Sequence, residues 1–131
     1  MNKVIITQGK RKRAIARAVL QQGHGKVRMN GQFLSSLRNK MVQLKISEPL
    51  VLADEVVKNV DITINVRGGG VNGQADAARL AIARALVEFD PKLEKTFNDY
   101  DRLLLVADVR RKETRKPNYS KARAKRQKSY R

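Results

Sequence analysis

The sequence predicts a single folded body that contains both strands and helices, followed by a cationic appendage. The clearest strand pattern covers residues 60–66, where apolar and polar side chains alternate without a break, as is typical of a half-buried strand. Four glycines follow, and apolar side chains then recur at spacings of three and four, the period of a helix. With 41% hydrophobic residues in a chain of 131, the body can bury one core.

This strand, glycine turn and helix form the predicted centre of the core. The helix is predicted over residues 74–89, with Asn72 as its N-cap and Asp76 in its first turn, and Pro91 ends it. The inward side chains of the strand are predicted to be Val60, Ile62, Ile64 and Val66. The apolar face of the helix is predicted to consist of Ala75, Ala78, Ile82, Leu86 and Phe89.

The glycines of this turn match a dinucleotide-binding fingerprint in spacing. Gly68, Gly70 and Gly73 spell G-x-G-x-x-G, and an acidic residue, Glu88, follows 20 residues after Gly68. In that fingerprint the acid ends a second parallel strand, whereas Glu88 falls in the last helical turn, where an ion pair with Arg84 is expected. The spacing also fits a phosphate loop, but Gln-Ala replaces its lysine and hydroxyl residue. A tight, closely packed turn is therefore favoured, and a nucleotide site is the alternative.

Two strands are predicted near the start of the chain. Residues 4–6 begin the first and residues 15–20 form the second, and four consecutive cations at residues 10–13 interrupt them. Small side chains on one side of the second strand predict a close neighbour there, either a helix or an RNA backbone. These small residues are Ala14, Ala16 and Ala18.

A third strand is predicted over residues 26–29, returning as a hairpin after a turn at residues 21–25. Val27 and Met29 are predicted to face inward, and the Asn-Gly pair that follows turns the chain again. His24, at the tip of the first turn, is interpreted as a solvated residue.

Helices are predicted on both sides of the central unit. Leu34, Leu37, Met41 and Leu44 form a helical apolar period that continues to Ile46 and that a Glu-Pro pair is predicted to end. Residues 50–57 suggest another short helix. Pro91 is predicted to open a further helix to about Tyr100. Residues 103–109 are apolar, and their pattern leaves open a strand or a buried extended segment.

The distribution of charge predicts a polyanionic partner. The formal net charge is +17. Residues 1–47 contain 11 Lys and Arg and no acidic residue, residues 48–109 contain 7 against 11 acidic residues, and residues 110–131 contain 11 against Glu113 alone. The like charges within each of these strongly basic ends repel one another unless a polyanion neutralises them. Nucleic acid is the commonest such polyanion. The alternative is a highly charged surface that serves only solubility. Solubility, however, would not require the acidic residues to be confined to the middle of the chain.

The last segment predicts an extended RNA-binding arm. Residues 110–131 contain no Leu, Ile, Val, Met or Phe, so they cannot form a core of their own. Fully extended, they reach roughly 70 Å. Arg and Lys can meet phosphates and the interleaved Tyr119 and Tyr130 can stack on bases. Composition thus divides the chain into a body, residues 1–109, and an arm, residues 110–131, although a dispensable solubility tail is the alternative.

Composition argues against several other classes of protein. Cysteine is absent and His24 is the only histidine, so neither a disulfide framework nor a metal site is predicted. No apolar run approaches the roughly 20 residues that a membrane helix needs, and the first residues lack the apolar core of a secretory signal. The cationic tail has no apolar helical face to insert into a membrane surface.

Several motifs lie in order over nearly the whole chain: Gly9-Lys10-Arg11-Lys12, Gly25-Lys26-Val27, Glu48-Pro49-Leu50, Arg67-Gly68-Gly69-Gly70, Ile82-Ala83-Arg84-Ala85-Leu86 and the ending Gln127-Lys128-Ser129-Tyr130-Arg131. Together they resemble the ribosomal protein S-nine family, the ninth protein of the small ribosomal subunit, in its archaeal and cytosolic eukaryotic branch.

The resemblance implies an α+β fold, with a sheet covered by helices like domain two of the fifth small-subunit ribosomal protein and an extended basic C-terminal arm. It also implies a structural constituent of the head of the small subunit in the cytoplasmic ribosome, with no enzymatic activity and no cofactor. The implied partners are the 3′ major domain of the small-subunit rRNA, neighbouring head proteins and peptidyl-site tRNA. The arm is implied to reach the anticodon stem-loop of that tRNA.

Carried over by position, the resemblance implies tRNA contacts at the end of the chain, from Arg131 and Lys128. The implied rRNA contacts are Lys10, Arg11, Lys12, Arg13, Arg17, Arg67, Arg110, Arg111, Lys112, Arg115, Lys116, Lys121, Arg123, Lys125 and Arg126. Two alternatives stay open: a nucleotide-binding enzyme that uses the glycine turn, and a free-standing, non-specific nucleic-acid binder of chromatin type.

Overall fold

The fold is a mixed five-stranded sheet with helices, in a computed structural model that describes residues 4–110, 114–117 and 122. The strands are β1 (Ile5–Arg11), β2 (Ala14–Gln22), β3 (Val27–Met29), β4 (Gln32–Phe33) and β5 (Val60–Arg67). The helices are α1 (Lys40–Leu52), α2 (Asp54–Val57), α3 (Val71–Phe89) and α4 (Leu93–Tyr100), with 3₁₀ helices at Leu34–Ser36 and Arg102–Leu104. The predicted α+β class is confirmed.

The strand order is β1-β2-β5-β3-β4. β1, β2 and β5 pair antiparallel, whereas β3 lies parallel to β5 and pairs antiparallel with β4. The prediction that residues 26–29 return as a hairpin beside the second strand is wrong, since β5 lies between them. The physical reason is the length of the strands. β5 pairs with β2 over eight residues, from Ile15 opposite Arg67 to Gln22 opposite Val60, whereas β3 has only three residues that could pair with β2.

Helix α3 packs across β1 and β2 and closes the core. Ala14, Ala16 and Ala18 are fully buried, so the close neighbour predicted for them is a helix. The approach to β1 is closer still, because a Cβ built on Gly9 would lie 2.2 Å from the carbonyl oxygen of Ala77. Only glycine fits at this point of β1.

The central unit follows its prediction except at the start of the helix. The four apolar side chains of β5 are buried, and so are most of those on α3. The helix begins at Val71 with Gly70 as N-cap, and no side chain caps it. Asn72 is therefore not the cap and Asp76 is not in the first turn. Asp76 instead lies near Lys45 of α1, with Oδ1 3.4 Å from Nζ.

The first long helix differs most from its prediction. Its N-cap is Asn39, whose Oδ1 accepts hydrogen bonds from the backbone N–H groups of Met41 and Val42. Val42 and Ile46 are buried while Met41 is 61% exposed, so the helical face lies one residue away from the predicted one. The helix also continues through Pro49, which is fully buried. That packing offsets the backbone hydrogen bond that proline cannot donate.

The end of the body is tied back to α3 and β1. Phe97 of α4 and Leu104 of the second 3₁₀ helix are fully buried, and residues 103–109 form no strand. Arg84 does not pair with Glu88 as predicted. Its Nε donates to the carbonyl of Leu105 at 3.1 Å, and its Nη1 donates to that of Gln8 at 2.8 Å. Within the described residues, no helix is both long and apolar enough to span a membrane.

Candidate nucleic-acid interface

The sheet exposes cations on the side that points away from its buried alanines. β1, β2 and β5 alternate between buried and exposed side chains. Register places Lys10 and Arg67 on either side of Ile15, and Arg17 follows Ile15 by two residues on the same side of β2. Since neighbouring strands lie about 4.8 Å apart, the three cations occupy adjacent positions on one open face.

One carboxylate lies near this face, and it is turned toward a loop. Asp61 is the only acidic residue in the five strands. Its Oδ1 accepts hydrogen bonds from the backbone N–H groups of Lys26 and His24, both at 3.0 Å. These bonds hold the pKa of Asp61 below its usual range. Its charge therefore stabilises the turn between β2 and β3, and His24 is an exposed turn residue, as predicted.

Two more cations form the tip of the β1–β2 hairpin. Lys12 and Arg13 are the turn residues, and both are exposed. Lys12 has a φ of 55°, a backbone conformation that residues other than glycine and asparagine seldom adopt. We call Lys10, Lys12, Arg13, Arg17 and Arg67 the cationic surface.

Several cations on the helical side pair with carboxylates, in contrast to those of the cationic surface. Arg79 lies 2.5 Å from Glu48 and 3.1 Å from Asp101, and Lys58 lies 3.4 Å from Asp54. Among the residues that the structure describes, no acidic side chain pairs with any of the five cations of the cationic surface. Within the described residues, the cationic surface is therefore a cluster of cations without an internal counterion.

A groove of about 970 Å³ lies beside the hairpin tip. The tip forms one wall, and the glycine turn at residues 69–73 forms another. Gly68 and Gly69 have φ values of 75° and 66°, and a Cβ on Gly68 would lie 2.7 Å from the carbonyl oxygen of Arg13. The predicted close packing of the glycine turn is thus confirmed, with the hairpin as its neighbour.

The nucleotide fingerprint lacks the geometry that it requires. Glu88 lies near the far end of α3, some 18 residues beyond Gly70 and therefore about 27 Å along the helix axis. In the described part of the chain α4 follows α3, and no second parallel strand follows to carry an acid to a ribose.

Arg11 lies on the opposite side of β1 from Lys10. Its Nη1 is 2.8 Å from Oδ2 of Asp108, its Nε is 3.6 Å from Asp76, and its side chain is 19% exposed. Asp108 also binds Arg110, whose Nη2 donates to Oδ2 at 2.6 Å. Arg11 therefore fastens the end of the body to the hairpin.

The predicted arm residues are described only in part. Arg110 and Arg115 are exposed, and Arg115 lines the groove together with Thr114. Lys116 is exposed as well. The remaining predicted positions lie outside the described residues: Arg111, Lys112, Lys121, Arg123, Lys125, Arg126, Lys128 and Arg131.

The sequence-based prediction of sites omitted Arg28. It lies on β3 with its guanidinium carbon 4.6 Å from the ring centroid of Phe33, and it is exposed. Register places it beside Thr63 of β5, on the open face. Alternation alone directs Arg28 outward, but its place on this face requires the β5–β3 pairing, which no local pattern reveals.

The family profile described as ribosomal protein S9/S16 matches residues 9–131. The chain belongs to this family. "Small ribosomal subunit protein uS9" of Thermoplasma acidophilum is 51% identical over 129 residues, covering 97% of this chain and 100% of the relative. The protein of that name from Methanococcus maripaludis strain C7 is 49% identical over 133 residues, covering 98% and 99%. That from Thermoplasma volcanium is 50% identical over 129 residues, covering 97% and 98%.

The family resemblance predicted from motifs is thereby confirmed, including its archaeal branch. As a member of this family, the chain is a structural constituent of the small subunit of the cytoplasmic ribosome and not an enzyme. The alternative of a nucleotide-binding enzyme is wrong, and membership of a ribosomal family does not support a free-standing binder of chromatin type.

Proposed function

We propose that the body binds small-subunit rRNA through the cationic surface, and that the C-terminal arm continues through rRNA to the anticodon stem-loop of the peptidyl-site tRNA. The observation that carries the proposal is a group of five cations on the open face and hairpin tip that pair with no acidic side chain of the described residues, while Lys45, Lys58 and Arg79 on the helical side meet carboxylates. The proposed rRNA region is the 3′ major domain, and head proteins are the proposed neighbours.

The binding mechanism is electrostatic. Arg and Lys side chains bind phosphate oxygens, and each neutralised phosphate releases condensed counterions into solution. Such contacts fix the position of the protein on the RNA without reading its sequence. At the tRNA they suit a site that must accept tRNAs of every sequence.

The start of the arm lies beside the cationic surface. Asp108 is held by Arg11 of β1, and a few residues later Thr114 and Arg115 line the groove together with Lys12 and Arg13. The described part of the arm, residues 110–131, therefore approaches the hairpin tip of the body, residues 1–109. We infer that they engage one continuous stretch of rRNA.

We assign roles within the proposed arm by how far each residue lies from the body along the chain. Residues nearest the body contact rRNA: Arg110, Arg111, Lys112, Arg115 and Lys116. The next group lines the rRNA passage: Lys121, Arg123, Lys125 and Arg126. Lys128 and Arg131, farthest from the body, contact tRNA. The likeness of the body to domain two of the fifth small-subunit protein belongs to the same proposal.

Cutting the chain after Val109 tests whether the arm contributes to rRNA binding separately from the body. We expect the truncated body to remain folded, because the buried side chains that form the core precede this residue. Its affinity for small-subunit particles that lack this protein should fall, and so should the slope of log affinity against log salt, because fewer phosphates are neutralised. An unchanged slope would contradict the role proposed for the arm.

A further inference from the structure

A second depression, of about 300 Å³, adjoins the groove. It lies where the turn after β3, the start of α1 and the first turns of α3 meet. Its lining includes the buried Met29 and Val42, the half-buried Leu37 and the exposed Val71. Val71 also lines the groove, so the two concave surfaces meet at this residue.

Four carboxamide side chains surround this apolar floor, and three of them are oriented by backbone groups. Oδ1 of Asn30 accepts from the N–H of Val66 at 2.9 Å, and Oδ1 of Asn39 caps α1. Since a backbone N–H requires the oxygen, each of these amides keeps its NH₂ group available. Gln74 donates its Nε2 to the carbonyl of Gly68 at 3.0 Å, which leaves its Oε1 as an acceptor.

The remaining lining groups are Gln32 and Arg38. Both are exposed, and among the described residues neither has a side-chain hydrogen-bond partner. The residues that line the depression include no Asp or Glu. The depression therefore combines an apolar floor, donors and acceptors on its rim, and one cation.

This chemistry fits a nucleobase. A base presents an apolar ring face together with donors and acceptors along its edge, and carboxamides pair with base edges through two hydrogen bonds. RNA-binding proteins commonly take up unstacked bases of single-stranded segments in this way. A volume of about 300 Å³ is at the lower end of small-ligand pockets and accommodates one base.

We propose that the depression between Asn30, Arg38 and Gln74 binds one nucleobase that is turned out of the rRNA strand lying in the adjoining groove. The inference rests on the proposed rRNA binding and deepens it, because it adds a contact with a base to contacts with phosphates. Arg38 neutralises the phosphate of the inserted nucleotide, and Gln32 pairs with the edge of its base.

Photocrosslinking from the depression tests the proposal directly. We would replace Gln32 with p-benzoylphenylalanine and irradiate small subunits reconstituted with the full chain. The matched control carries the same replacement at Gln22, which is also an exposed strand glutamine. We expect a crosslink to a single rRNA nucleotide from position 32 that is absent from position 22. A crosslink to a protein, a spread over several nucleotides, or no crosslink would overturn the proposal.

Binding of Gln32→Ala distinguishes a base contact from a phosphate contact. Loss of a hydrogen bond to a base should lower affinity for particles that lack this protein by about 3- to 10-fold and leave the salt slope unchanged, because no charge is removed. Gln22→Ala should bind as wild type. Wild-type affinity of Gln32→Ala, or a smaller slope, would overturn the nucleobase site. The salt slope of variants of Lys12 and Arg13 tests the underlying rRNA binding separately.

Discussion

Asp108 shows how one side chain separates cations that the sequence presents as a single run. Residues 10–13 are consecutive cations, all predicted to contact rRNA. In the structure Lys10 lies on the open face and Lys12 and Arg13 form the hairpin tip, whereas Arg11 pairs with Asp108. Alternation along β1 accounts for the opposite directions of Lys10 and Arg11. The carboxylate that receives Arg11 lies 97 residues away in the sequence, so no local pattern could reveal it.

Asp108→Asn should destabilise the protein in a pH-dependent manner. Hydrogen bonds from the Arg110 guanidinium and backbone N–H, together with the nearby Arg11, hold the pKa of this carboxyl far below its usual range. A carboxyl whose pKa is lower in the folded state stabilises the fold above its unfolded pKa of about 3.9, and this contribution is lost as the pH falls. Urea midpoints should therefore differ between variant and wild type at pH 7, and the difference should narrow as the pH falls from about 3.9 toward the lower folded-state pKa, so that it is already smaller at pH 3.

The control for this prediction is Asp54→Asn, because the pair between Asp54 and Lys58 is about 70% exposed on both sides. Exposed pairs of this kind contribute about 0–1 kcal/mol, so its midpoint should change little at either pH. If Asp108→Asn shifted the midpoint equally at pH 7 and pH 3, the lost charge would not be the cause.

Deleting Arg131 should weaken binding of tRNA at the peptidyl site while the small subunit still assembles. The reason is that the terminal guanidinium is proposed to meet tRNA phosphate, whereas assembly is proposed to depend on the body and the rest of the arm. Filter binding of tRNA to reconstituted subunits provides the measurement. Arg131→Lys, which keeps the charge, should retain most of the affinity, and normal tRNA retention after the deletion would contradict the assignment.

At the scale of elements, β1 and α3 pack in close contact at Gly9. Gly9→Ala would place a Cβ 2.2 Å from the carbonyl oxygen of Ala77 and 2.8 Å from the backbone nitrogen of Ala81. Both neighbours are backbone atoms of a buried helix, so relief requires a shift of the whole element. We expect the free energy of unfolding to fall by about 2 kcal/mol or more, measured by urea denaturation.

Gly70→Ala is the matched control for Gly9→Ala. Gly70 has a φ of −100°, and a Cβ there meets no atom within 4 Å. The free energy of unfolding should therefore fall by no more than about 1 kcal/mol, because alanine is a poorer N-cap than glycine. If the two variants were equally stable, the close packing of α3 on β1 would not hold in solution.

The accuracy of the sequence-based prediction also varied by element, for physical reasons. β5 was predicted correctly because four alternating apolar residues meet one buried face. α1 was placed one residue off, because Met41 and Val42 are both apolar and only contact with the core decides which is buried. The start of α3 was missed because Gly70 serves as N-cap without a side chain to mark it. Local patterns thus predicted the kind of element better than its neighbours.

Over the whole molecule, the cations differ in whether a carboxylate of the described residues meets them. On the helical side, Arg79 and Lys45 are matched by carboxylates on neighbouring helices, whereas the cationic surface and the composition of the arm leave charge for an external polyanion. The sequence predicted the sign and the abundance of this charge. It could not predict the grouping, because Lys10, Arg17 and Arg67 meet only through the β1-β2-β5 register.

The most direct test of the account is the salt dependence of binding by a triple variant of the open face, Lys10→Ala, Arg17→Ala and Arg67→Ala. The control removes three exposed lysines from the helical side, Lys58, Lys92 and Lys95, and so changes net charge equally. With small-subunit particles that lack this protein, the open-face variant should lose roughly 2–3 from the slope of log affinity against log salt, while the control keeps the wild-type slope. Equal slopes for the two variants would contradict the claim that this face binds rRNA.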